Sequence, residues 1–158
     1  MTGNSTRTPI RPSDEEWQEL VNMLCLMCHK MGNCDVIEGM IEMKHGGAWP
    51  PGGWVTDPGS GATCLSYEPR PVRQLEDSEL TDALTSAVPM CQGCAARKGS
   101  DASQSLHTQR DFNSAVNRGG LFVCHEEGNQ GKPCGGWCNA VKRKRASLIA
   151  TSASEAAQ

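Results

Sequence analysis

The sequence predicts a small, irregular α+β fold in which two metal-stapled, zinc-finger-like modules stand in for a large hydrophobic core. Three observations carry that prediction. Leu, Ile, Val and Phe make up only 24 of the 158 residues, below the roughly one-fifth that marks a chain poor in core-forming side chains. Nine cysteines offer a different means of holding the chain together, since domains short of buried apolar surface lean on disulfides or metal ions. Charge and cysteine also divide together along the chain. Residues 1–90 carry 6 basic and 13 acidic side chains, whereas residues 91–158 carry 9 and 5. Cys25, Cys28, Cys34 and Cys64 fall in the first part; Cys91, Cys94, Cys124, Cys134 and Cys138 fall in the second.

Residues 1–12 lack periodicity and predict a flexible tail. The first metal-binding module, with four cysteines, then spans residues 13–68. It opens on Ser13-Asp14-Glu15-Glu16, the S-x-x-E pattern of a capping box, in which the Ser13 hydroxyl and Glu16 carboxylate satisfy backbone donors at a helix start. Trp17, Leu20, Val21 and Leu24 follow helical spacing and deliver Cys25 and Cys28 just past the last turns. Residues 46–61 are dense in glycine and proline and predict an irregular loop, from which Trp49 and Trp54 pack over a metal site.

Residues 69–90 predict a linker helix, with Leu80, Leu84 and Val88 on one face. The second cysteine-rich metal-binding module covers residues 91–146. Within it, Ser105 or Thr108 caps a helix bearing Phe112, Ala115 and Val116, which Gly119-Gly120 stops; a short strand runs from Leu121 to Cys124. Cys134, Trp137, Cys138 and Val141 share one helical face. Residues 147–158, mostly Ala and Ser, predict a second flexible tail.

Met1–Leu20 holds no apolar run long enough for a signal-peptide core, and no stretch is long enough to span a membrane. The expectation is a cytoplasmic protein with no membrane partner. In that reducing compartment, an odd number of cysteines points to metal ligation or redox chemistry rather than to disulfides.

Two C-x-x-C pairs, Cys25–Cys28 and Cys91–Cys94, carry the metal prediction, because two intervening residues let both thiolates turn toward one tetrahedral ion. Cys34 and Cys64 complete the first set with nothing left over. In the second, Cys124 and Cys134 are the natural partners, with His125 and Cys138 as alternates. Two zinc ions are expected; spacing alone does not separate zinc from an iron–sulfur cluster, which is the alternative. Cys25-Leu26-Met27-Cys28-His29 also spells the C-x-x-C-H of haem attachment, but the absence of an export signal argues against it. A thioredoxin-like role for Cys91 and Cys94 lacks the βαβ context it needs. His29, His45 and His107 form no catalytic pattern.

Lys142-Arg143-Lys144-Arg145 is a compact basic run, expected at the C-terminal end of the Cys134 helix. There it complements the helix dipole or contacts nucleic-acid phosphates, with Arg97, Lys98, Arg110, Arg118 and Lys132 in support.

Across residues 91–138, Cys91-x-x-Cys94, then Phe122-Val123-Cys124-His125, then Cys134-Gly135-Gly136-Trp137 resembles a family of small, uncharacterised cysteine-rich proteins of bacteria and their phages. The resemblance implies Cys91, Cys94, Cys124 and Cys134 as a shared ligand set with His125 and Trp137 beside it, and host cytoplasm as the location. Cys138 departs from the family's pattern. No nucleophile–base pair or phosphate loop is visible. The expected function is therefore a non-enzymatic binding or regulatory protein, phage- or mobile-element-encoded, acting on nucleic acid or a host protein; an iron–sulfur or thiol redox protein is the alternative.

Overall fold

The computed structural model describes residues 7–155, with side chains through Ser152. The outer parts of both expected tails, residues 1–6 and 156–158, lie outside the described residues. Among the described residues there are six α-helices and one two-stranded sheet: α1 Asp14–Leu24, α2 Asp35–Lys44, β1 Trp54–Asp57, β2 Gly61–Cys64, α3 Asp77–Ser86, α4 Asp101–Gln104, α5 Leu106–Arg118 and α6 Gly135–Glu155. The α+β class of the sequence prediction is thus met.

The chain divides into two units, but not where the sequence suggests. One ends at Pro71 and takes in Asp101–Arg110; the other comprises Val72–Ser100 and resumes at Asp111. The helix expected as a linker, α3, therefore belongs to the second unit, and a segment expected in the second module belongs to the first.

In the first unit, α1 starts at the expected capping box: Ser13 Oγ accepts from Glu16 N–H and Glu16 Oε2 accepts from Ser13 N–H. Helix α2 has no counterpart in the sequence prediction. It buries Met40 and Met43 against Leu20, Leu24 and Trp54. The Gly/Pro-rich stretch is not wholly irregular either, because β1 and β2 form an antiparallel hairpin with Trp54 opposite Cys64. Nor is the segment before α1 a free tail from residue 7 onward. Pro9 bridges Val55, Thr56 N–H donates to Thr8 O at 2.8 Å, and the Arg7 guanidinium reaches Asp57 at 3.4 Å.

In the second unit, α3 runs as expected but ends before Val88. Helix α5 begins in the first unit, where Ser105 caps it by accepting from Thr108 N–H at 3.3 Å. It ends in the second unit at Gly119, whose φ of 74° is the left-handed conformation that glycine adopts without penalty. The expected strand at Leu121–Cys124 is reduced to a single bridge between Val123 and Pro133. Phe112 meets Phe122 edge-on at 5.2 Å, and Trp137 is fully buried. Helix α6 continues to Glu155, through most of the residues expected as a tail.

Candidate metal centres

The first unit places Cys25, Cys28, Cys34 and Cys64 around one cavity, from three elements and the turn after α1, with no three of their sulfurs within 4.8 Å of one another. Cys25 caps α1, Cys34 caps α2, Cys64 ends β2, and Cys28 closes the C-x-x-C turn by donating its N–H to Cys25 O at 2.9 Å. All four line one cavity of about 190 Å³ whose other walls are chiefly apolar, including Leu24, Val36, Ile37 and Trp54. Trp54 therefore does pack against this site. Trp49 lies one step further out, donating its indole N–H to Trp54 O at 3.3 Å.

The surroundings hold these thiols in register. Glu68 N–H donates to Cys28 Sγ at 3.4 Å, and His29 N–H donates to Glu68 O at 2.8 Å, so the C-x-x-C turn is strapped to the chain that follows β2. Cys64 N–H donates to His107 Nε2 at 3.3 Å, and the His107 ring lies 3.9 Å from that of Tyr67. An accepting Nε2 requires the neutral imidazole, and burial pushes the His107 pKa down to about 4 in agreement. No spacing signal marks His107 in the sequence, because its partners lie forty or more residues away.

Electrostatics disfavour this quartet as four metal-free thiolates. Burial, then the neighbouring Cys64, Cys34 and Cys28, push the Cys25 thiol up to about 12. Burial likewise raises Cys64, with Cys34 and Cys28 adding to the rise. A bound dication reverses this: it holds several thiolates side by side by cancelling their mutual repulsion.

The second unit places its cysteines as two close pairs and one apart. Cys94 and Cys134 are buried with their sulfurs 3.6 Å apart, close to the roughly 3.8 Å edge that a tetrahedral ion with metal–sulfur bonds of about 2.3 Å imposes. Among the described residues, one set of three donors lies wholly within 4.8 Å: Cys91, Cys124 and Glu126. Burial raises the Cys91 thiol, with Glu126, Cys94 and Cys124 contributing; burial also pushes Cys134 up to about 11, aided by Cys94. These interactions link all four cysteines into one electrostatic group.

No protein-family model, curated protein or solved structure matches the chain.

The alternates make other contacts. Cys138 Sγ donates to Leu84 O at 3.3 Å. His125 is exposed, its ring edge-on to Phe122 at 5.9 Å. The donor that joins the cysteines is Glu126, which the sequence does not single out because carboxylates carry no ligand-spacing signature. The chain holds Cys124 and Cys134 together by short pairing: Cys124 N–H donates to Lys132 O at 2.8 Å and Cys134 N–H to Phe122 O at 3.0 Å.

The basic run lies in the middle of α6, not at its end, so it does not neutralise that helix's C-terminus. Lys144 Nζ instead donates to Asn117 O at 3.0 Å and Val116 O at 3.4 Å, satisfying the last carbonyls of α5. Arg145 reaches Asp77 at 3.5 Å, while Lys142 and Arg143 are exposed. Among the described residues, no helix is long and apolar enough to cross a membrane.

Proposed function

We propose that this chain is a metal-stapled binding or regulatory protein that holds two zinc ions, one in each unit. The observation that supports this most is the sorting of the cysteines. The four cysteines of the first unit line one cavity; in the second, Cys94 pairs with Cys134, Cys91 and Cys124 lie with Glu126, and the Cys138 thiol donates to Leu84 O. Cys25, Cys28, Cys34 and Cys64 hold the first ion; Cys91, Cys94, Cys124 and Cys134 hold the second. Four thiolates saturate a tetrahedral ion, which makes each site a structural staple rather than an open catalytic centre.

The 3.6 Å contact of Cys94 and Cys134 favours a single ion at the second site, since a four-iron cluster places each cysteine on a different iron and holds the sulfurs further apart. The first quartet lines a cavity of about 190 Å³, and that is where the iron–sulfur alternative has its support. Elemental analysis and a visible spectrum on protein purified without oxygen separate these. Two zinc ions and a colourless sample are expected; one ion or none per chain overturns the two-site reading, and a brown sample containing iron and sulfide replaces zinc with a cluster.

The exposed pair Lys142 and Arg143 gives this scaffold a way to meet nucleic-acid phosphates, and the net positive charge of residues 91–158 supports that partner over a host protein.

A further inference from the structure

The second site has one donor too many. A tetrahedral ion takes four ligands, and four thiolates fill the second site on the reading above, yet the Glu126 carboxylate stands within 4.8 Å of both Cys91 and Cys124. The five donors are not equivalent. Cys94, Cys124 and Cys134 are at most 5% exposed, whereas Cys91 is only partly buried and Glu126 is at the surface. Glu126 forms no ion pair among the described residues and starts the tight turn after Cys124, where Asn129 N–H donates to Glu126 O at 3.0 Å. The carboxylate thus lies close to Cys91, the least buried cysteine of the set.

We propose that Glu126 is an exchangeable ligand of the second metal site, replacing Cys91 to open a path for metal transfer to a competing thiol- or nitrogen-rich chelator. The proposal rests on the two-ion reading above. In the exchange, a metal–oxygen bond to Glu126 forms as the metal–sulfur bond to Cys91 breaks. Both ligands are monoanions, so the charge of the site is conserved, and Cys91 leaves as a thiolate that takes a proton from water. Oxygen is a weaker donor than thiolate to zinc. The three-thiolate, one-carboxylate form is thus the one from which the ion departs. The first site has no carboxylate among the residues lining its cavity and releases its ion by the slower route of opening the fold.

The test uses the full, zinc-loaded chain and a chromogenic chelator. In the parent, one ion should transfer quickly and the other slowly. Glu126→Gln, a surface change, should keep two ions and slow the fast transfer on the order of tenfold, the lower end of what altering a metal's supporting groups does. Iodoacetamide labelling of Cys91 in the loaded protein, read by mass spectrometry, should slow in parallel. Cys91→Ser should retain a second ion through Glu126, and the double variant Cys91→Ser/Glu126→Gln should lose it. Equal transfer rates for parent and Glu126→Gln, or equal ion content for the Cys91 single and double variants, overturn the exchange. Cys134→Ser keeps the two ideas apart: loss of one ion with silent Glu126 variants removes only the exchange, whereas no loss of metal in Cys134→Ser removes the second site and the exchange with it.

Discussion

Single side chains in this protein are decided by which polar atom they meet. Cys134 meets Cys94, while Cys138, four residues on and also buried, meets Leu84 O. Cys134→Ser should therefore lose one metal ion per chain and Cys138→Ser should keep both, measured by elemental analysis after gel filtration; the reverse result reassigns the ligand. Asp57 makes the same point without a metal. It is almost fully buried, and its carboxylate accepts N–H bonds from Gly59 at 2.8 Å, Ser60 at 3.1 Å and Leu106 at 3.1 Å. Burial alone would raise its pKa, but those three donors and Arg7 outweigh it and hold the carboxyl below its ordinary 3.8. The ionised form is thus favoured in the folded state. Its contribution is present above the ordinary carboxylate range and is lost as pH falls through the lower folded value. Asp57→Asn should cost about 1–3 kcal/mol in denaturant unfolding at neutral pH, and the gap between variant and parent should narrow below pH 3.8. A gap independent of pH would show that shape, not charge, is what the site uses. The candidate ligand cysteines were legible in the sequence because zinc chemistry has a spacing. Asp57, Glu126 and His107 were not, since each is defined by partners that only the fold brings near.

At the level of elements, the legible parts were those with local signals. The capping box at Ser13 and the glycine stop at Gly119 act within a few residues, and both operate as the sequence implied. Helix α2 and the β1–β2 hairpin escaped for opposite reasons. The first is interrupted by Gly39, whose missing side chain leaves room for the Pro50 ring 2.7 Å from where a Cβ would stand; the second has strands of only four residues within a run of glycine and proline. In both cases burial against Trp54 and Leu24, rather than propensity, makes the element. The start of α6 is a further case in which an element serves a site. A Cβ at Gly136 would collide with Cys94 Sγ and come within 2.7 Å of the Ala96 Cβ. Gly136→Ala, ordinarily a helix-stabilising change, should here displace Cys94 and weaken metal binding at the second site on the order of tenfold or more, by analogy with disturbing a ligand's support. Competition titration with a chelator checks this, and unchanged affinity at the second site would mean that the helix start can shift without moving the thiol.

For the molecule as a whole, a chain with so few core residues should depend on its ions. Structural zinc contributes on the order of 10 kcal/mol to the folding of small domains, so chelation should abolish cooperative unfolding. An unchanged circular dichroism spectrum after verified metal removal counts against that dependence. Surface charge is a separate matter. Because Lys144 is bound to the end of α5 and Arg145 to Asp77, the variant that tests phosphate contact is Lys142→Gln/Arg143→Gln, which leaves the packing intact. Binding of the parent to DNA or RNA should fall steeply with salt, and the double variant should bind more weakly with a shallower salt slope, reduced by up to about two counterions. Equal binding of the two proteins transfers the role to a protein partner. The membership of the units was not readable in the sequence, because nothing local marks Asp101–Arg110 as belonging with the residues before Pro71. That segment delivers Leu106 N–H to Asp57, His107 to Cys64, and the Arg110 guanidinium to Tyr67 O at 2.6 Å. In chain order, all four thiols of the first unit are therefore made before the groups that bolt Cys64 and Asp57 in place. The proposed ion of the first unit would thus meet its four thiols before Arg110 is in place to steady them.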